Sequence, residues 1–170
     1  MGKFLILYIV LLLISCSGNQ QKLNAKNKDT AVYYPYSPVF SELEPGKPQY
    51  AKMVLDVWRA YETGNILSAK KNFSDSIKLI FHDQIFSGRR DSILNLFQKR
   101  RAIYTDVQSY VDTWLPVHAK QTNDDLVLIW GRQDCTGKNE KRDYLVVHET
   151  WWFDGSGRIR EMDQYLTHPH

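Results

Sequence analysis

Residues 57–83 read VWRAYETGNILSAKKNFSDSIKLIFHD, and the apolar period changes within them. Tyr50, Met53, Val54, Val57, Trp58 and Tyr61 recur at spacings of three and four, the apolar stripe of one helix. Gly64-Asn65 stops that helix, because glycine takes the left-handed C-terminal cap without steric cost. Ile66–Asn72 fits a short second helix, and IKLIFH (Ile77–His82) reads as a strand.

Downstream, Gly88 is expected to turn the chain, and Asp91 or a neighbour to cap a helix with Ile93, Leu94 and Phe97 inward. The remainder is β: Asp106–His118, Leu126–Cys135, Asp143–Phe153 and Arg158–Leu166. Polar turns separate them at Gln121–Asp125, Thr136–Lys141 and Asp154–Gly157. Helices first and then an antiparallel meander predict an α+β fold with helices against one sheet face.

This order resembles the nuclear transport factor 2-like superfamily, which includes the SnoaL-like proteins and ketosteroid isomerases. Val57–Asp83 is similar to the family's opening, with Asn65 where the family has Asp. ETWWFDGSGRIREMDQY (Glu149–Tyr165) is similar to its closing hairpin. The resemblance spans Tyr50–Leu166. It implies a curved antiparallel sheet wrapped around N-terminal helices, a cone with an internal pocket. The family includes isomerases, cyclases, dehydratases and members without known activity, so it does not by itself choose a reaction.

A four-residue loop at Asp154–Gly157 would set Glu149 opposite Met162 and His148 opposite Asp163. Side chains alternate along each strand. One face then holds Val147, Glu149, Trp151, Arg160, Met162, Gln164 and Leu166; the other holds His148, Thr150, Trp152, Ile159, Glu161, Asp163 and Tyr165. Adjacent residues point apart, so His148 cannot work with Glu149, nor His82 with Asp83. A His148–Asp163 pair is read as a polar contact on the outer face rather than a catalytic dyad.

Both faces are mixed, and periodicity does not say which meets the helices. The resemblance implies that Glu149, Met162 and Gln164 look into the cavity. Glu149 falls where ketosteroid isomerases hold an acidic oxyanion-hole residue. Their first-helix tyrosine falls at Val57, and their basic aspartate at or near Phe81, with Asp83 two residues on. The His and Asp of SnoaL-like cyclases fall at Met162 and Gln164. An enolisation needs a base and an oxyanion donor together, and this set keeps one carboxyl, whose pKa burial would raise. The candidate catalytic residues are Glu149 with Asp83 or His82. The candidate ligand-binding residues are Trp58, Phe81, Trp114, Trp130, Glu149, Trp151, Met162 and Gln164.

The sequence has no Gly-x-Ser-x-Gly, Cys-x-x-Cys, His-Glu-x-x-His or phosphate-cradling glycine loop. The five histidines are scattered, and neither a metal nor a cofactor is expected. Cys135 reads as a packed small hydrophobe. Residues 48–170 carry seventeen Lys and Arg against sixteen Asp and Glu, too even a balance for phosphate-backbone binding, so nucleic acid is not an expected partner. The run Lys99-Arg100-Arg101 reads as solvated charge at a helix C-terminus.

The N-terminus specifies an address. Lys3 precedes an apolar run, Phe4–Ile14, too short to span a bilayer but suited to a signal-peptide core. It ends in LISC (Leu13–Cys16), which resembles the lipobox of bacterial lipoproteins, with cleavage before Cys16 and lipid upon it. Residues 1–15 are therefore expected to be a signal peptide, 16–47 a lipidated cysteine and tether, and 48–170 the domain. Ser17–Thr30 is too polar to bury a core, and Ala31–Pro48, rich in Pro and Tyr, reads as extended chain lying against the domain. The expected location is the bacterial cell envelope, in the outer membrane facing the periplasm. The expected function is binding of a small, partly apolar ligand without catalysis. The alternatives are a proton-transfer, hydratase or hydrolase-type enzyme using Glu149, and a homodimeric interaction module pairing through the outer sheet face with Trp152, Thr150 and Tyr165.

Overall fold

Pro48 opens helix α1 (Pro48–Glu62), its ring supplying the backbone angle that a first helical turn needs. The stripe read from the sequence is the buried one: Tyr50, Val54, Val57 and Trp58 are all inside. The helix closes through Gly64, at φ +74°. The Asn65 N–H donates to the Ala60 carbonyl and the Gly64 N–H to that of Tyr61, the paired bonds of a Schellman cap. A 3₁₀ helix follows at Ile66–Asn72. Gln98, on helix α2 (Arg90–Arg101), braces this corner, donating to the Gly64 carbonyl at 2.7 Å and accepting from the Ile66 N–H at 3.0 Å.

The structure, a computed structural model, describes residues 35–40 and 42–168. The expected signal peptide, Cys16 and the expected tether over Ser17–Thr30 lie outside the described residues. From Ser37 onward the chain is one unit. Its strands are β1 (Leu43–Pro45), β2 (Phe73–Phe81), β3 (Gln84–Arg89), β4 (Tyr104–Ala119), β5 (Asp124–Gly137), β6 (Arg142–Phe153) and β7 (Ile159–Thr167). They form one sheet in the order β1-β4-β5-β6-β7-β2-β3. The helices pack on one face, where Leu79, Ile129, Val147, Trp151, Ile159 and Met162 are fully buried. The fold is α+β, with an open sheet curved around the helices.

Five expectations need correction. The sheet is mixed rather than antiparallel throughout, because β2 pairs with β7 in parallel. Gly88 is no turn: it lies in β3 opposite Ile77, and the reversal falls at His82-Asp83, where His82 has φ +55°. The sequence hides β3, since five of its six residues are exposed and it carries no apolar alternation. β1 was expected as extended chain only; Leu43–Pro45 pairs with the far end of β4. Upstream of it, Phe40 packs against an outer-face cluster of Val117, Ala119 and Leu126, which Leu128 and Trp152 also join.

The fourth concerns the β6–β7 hairpin. Asp154 Oδ1 accepts from the backbone N–H groups of Ser156 and Arg158, and Gly157 sits at φ +77°. The loop thereby becomes Asp154–Arg158, with Phe153 opposite Ile159, and Arg160 bulges out of the ladder. Beyond the bulge Glu149 faces Gln164, Trp151 faces Met162 and His148 faces Tyr165. The slip is an even one, so the inner face keeps Glu149, Trp151, Met162 and Gln164. Ile159 and Arg160, however, exchange faces. Ile159 is fully buried, while Arg160 donates to Asp124 at 2.8 Å.

The fifth concerns Lys99-Arg100-Arg101, whose members have three different fates. Lys99 is exposed. The Arg100 guanidinium lies 4.2 Å from the centre of the Phe81 ring. Arg101 is only 7 % exposed and donates to the carbonyls of Tyr61, Glu62 and Tyr104. It ties the last turn of α1 to the start of β4 and satisfies carbonyls that a helix end leaves orphaned.

Candidate functional site

Glu149 sits mid-strand in β6, between Ile129 of β5 and Gln164 of β7, and its side chain points at α1. Its carboxylate accepts three hydrogen bonds. Trp58 Nε1 donates to Oε2 at 2.6 Å, Trp151 Nε1 to the same oxygen at 2.9 Å, and Gln164 Nε2 to Oε1 at 2.7 Å. Each donor has a sequence origin: Trp58 from the stripe of α1, Trp151 two residues along β6, and Gln164 directly across the ladder. Gly131 lets Trp58 approach this closely, since a β-carbon there would stand 2.9 Å from the indole ring.

The carboxyl is buried, and no cation is among its hydrogen-bond partners. Burial pushes its pKa above the ordinary value; the hydrogen bonds from Gln164, Trp58 and Trp151 oppose the shift without cancelling it. The free space beside it, lined by Val57, Trp58, Tyr61, Phe97, Gln133, Glu149, Trp151 and Gln164, amounts to about 10 Å³. That is at the lower limit for one water molecule.

The room lies next door. A cavity of about 370 Å³ opens where α2 leaves the sheet, with walls that include Tyr61, Phe81, Phe97, Tyr104, Leu145 and Leu166. Gln133 and Gln164 line both this cavity and the small space beside Glu149, and so form a polar floor between the two. Arg100 and Lys99 also line the larger cavity. Its volume falls within the range typical of small-molecule pockets, about 300–1,000 Å³.

The candidates from sequence thus divide. Trp58, Glu149, Trp151 and Gln164 meet, and Phe81 lines the larger cavity with Gln164. Met162 is fully buried opposite Trp151 and belongs to the packed core. Trp114 and Trp130 stand apart. Trp114 lies on β4, which past β1 is the sheet's edge, and is 48 % exposed. Trp130 falls at an outward position of β5 and meets His148 edge-on at 6.2 Å. His82 and Asp83 form the exposed β2–β3 turn, and neither bonds to Glu149. The His148–Asp163 pair is overturned by the hairpin bulge: Asp163 faces Thr150, and its buried Oδ1 has no hydrogen-bond partner among the described residues. Two histidines do have a carboxylate: His118, 2.9 Å from Asp125, and His168, 3.0 Å from Asp143. Among the described residues no three His, Cys, Asp or Glu side chains converge as a metal site would require.

Sequence reasoning missed Gln133, Tyr61, Phe97, Leu145, Leu166 and Arg100. Gln133 had a signal: it shares the inward alternation of Val127, Ile129 and Cys135 along β5. Arg100 had none, because its place beside Phe81 depends on the docking of α2.

The sequence matches no family model, and no curated protein is similar to it in sequence. Solved structures do share its fold. A protein described as a SnoaL-like polyketide cyclase from Shewanella denitrificans superposes with a TM-score of 0.60 at 14 % identity, covering 71 % of this chain and 92 % of its own. A second so described, from Jannaschia, gives 0.60 at 12 % identity, covering 72 % and 88 %. IdmH of Streptomyces antibioticus, described as a polyketide cyclase, gives 0.55 at 13 %, covering 69 % and 91 %. The chain has the SnoaL-like fold.

Proposed function

We propose that this chain is a lipid-anchored protein of the bacterial envelope whose domain holds a small, partly apolar ligand in the cavity between α2 and the sheet, without transforming it. The observation that carries this reading is the separation of the inner carboxyl from the space. Both oxygens of Glu149 are occupied by donors of its own wall, and about 10 Å³ adjoins it, whereas the 370 Å³ cavity is bounded by aromatic and aliphatic side chains over two glutamines. A base must reach the proton it removes within about 3 Å, and no acid or histidine lines the larger cavity. The two sides of the sheet would then do different work. The inner face would bind. The outer face, with Tyr165 exposed, is the surface through which two copies would pair.

The test is a titration with the neutral fluorophore N-phenyl-1-naphthylamine. Binding should saturate and should fall at least tenfold when the cavity is filled by Leu145→Trp or, independently, Leu166→Trp. Unchanged binding in both folded variants refutes the reading. Anchoring is tested by Cys16→Ala, which should move the protein from the membrane to the soluble fraction; retention on membranes would refute it.

One observation favours the enzymatic alternative: burial gives Glu149 the raised pKa of a general acid. It would act only if Gln164 swung aside to open a path from the cavity. Glu149→Gln separates the readings, since binding survives that substitution and turnover does not.

A further inference from the structure

The cavity between α2 and the sheet has a charge bias that its apolar walls conceal. Of its eleven lining residues two are cations, Lys99 and Arg100, and none is an acid. Neither cation forms an ion pair among the described residues, so no carboxylate among them neutralises the charge at the cavity. The Arg100 guanidinium stands over the face of Phe81, 4.2 Å from the ring centre. No hydrogen bond from that guanidinium is found among the described residues, so its N–H groups are available to a carboxylate, which arginine takes through two parallel hydrogen bonds. Partial burial beside Phe81 also lowers the local dielectric, so a charge there acts more strongly than on an open surface.

From this arrangement we infer that the cavity selects a small organic anion: a flat apolar body between Phe81, Phe97, Leu145 and Leu166, with a carboxylate at Arg100 and Lys99. Gln133 and Gln164 at the floor are suited to a hydroxyl or carbonyl at the opposite end, since each amide can both donate and accept. The inference rests on the binding function proposed above and adds the ligand's charge to it.

The test compares 2-naphthoate with its neutral isostere 2-naphthamide, by calorimetry on the full chain in lipid nanodiscs with empty discs subtracted. Naphthoate should bind at least tenfold more tightly than naphthamide. Arg100→Gln should bring that ratio close to one, Lys99→Gln should reduce it, and added salt should weaken naphthoate alone. Equal affinities for the two probes would overturn the anion inference and leave the binding function standing. A naphthoate preference untouched by both substitutions would also overturn it, because the charge would then be read elsewhere. If neither probe binds, the inference falls together with the function on which it rests.

Discussion

Glu149 allows the sharpest quantitative statement about this fold. Leucine in its place is of similar volume and removes the acceptor for three donors at once: the Trp58 and Trp151 indoles and the Gln164 amide. A buried donor left unsatisfied costs about 1–3 kcal/mol. Water cannot rescue the three, because the free space beside them is only about 10 Å³. Against the sum stands the cost of burying a carboxyl without a cation, which leucine abolishes. The net expectation for Glu149→Leu is a loss of about 3–5 kcal/mol, a large share of the 5–15 kcal/mol that stabilises an ordinary domain. Glu149→Gln behaves differently. Its amide oxygen accepts from both indoles, and its NH₂ donates to Gln164 once that amide turns over, so the loss should stay below about 1 kcal/mol. Urea unfolding followed by tryptophan fluorescence measures both. If Glu149→Leu lies within 1 kcal/mol of wild type, or Glu149→Gln is as costly as Glu149→Leu, the three-donor cradle does not hold the wall together.

The same carboxyl makes stability depend on pH with a definite sign. Its folded pKa is raised above the ordinary value of 4.5, so the folded state binds the proton more tightly than the unfolded chain does. The stabilising contribution is full below about pH 4.5 and is lost as pH rises through the folded pKa. Glu149→Gln cannot titrate, so its stability relative to wild type should rise across that window; a constant difference would contradict the shift. Arg101→Met removes a donor from three carbonyls, those of Tyr61, Glu62 and Tyr104, of which that of Tyr61 keeps the bond from the Gly64 N–H. It should cost about 2–4 kcal/mol in the same assay, and a surface-like effect below 0.5 kcal/mol would refute its capping role. Gly131→Ala places a β-carbon well inside 3 Å of the Tyr110 carbonyl oxygen and at 2.9 Å from Trp58. A loss of about 1–3 kcal/mol is expected from such overpacking, and wild-type stability would show that α1 sits further from the sheet.

Much of this molecule was legible before its structure. The 3₁₀ helix at Ile66–Asn72 and the glycine stop before it follow from local chemistry: an apolar stripe that ends, and a residue free to take φ +74°. Strand alternation places Glu149, Trp151 and Gln164 on one face, which the family resemblance implies is the inner one, and that placement survives a wrong register because the slip is even. What failed was long-range. The Asp154 carboxylate reshapes the hairpin by collecting two backbone amides, a three-dimensional event that a count of loop residues does not contain. Trp114 and Trp130 are as apolar as Trp58 and Trp151. Only an edge position and an outward register separate them. The cavity itself depends on where α2 docks, which brings Arg100 to Phe81 and leaves a gap above Gln133 and Gln164. No periodicity encodes that gap.

On the proposed function, the cavity holds a small molecule and returns it unchanged. Native mass spectrometry of the chain isolated from the cells that make it tests this. An added small-molecule mass is expected on wild type and on Glu149→Gln, and none on Leu145→Trp. Released and returned to emptied wild-type protein, that molecule should be recovered with the same mass and chromatographic retention. A retained molecule on Leu145→Trp, no molecule on wild type, or a product that elutes differently after incubation would contradict it.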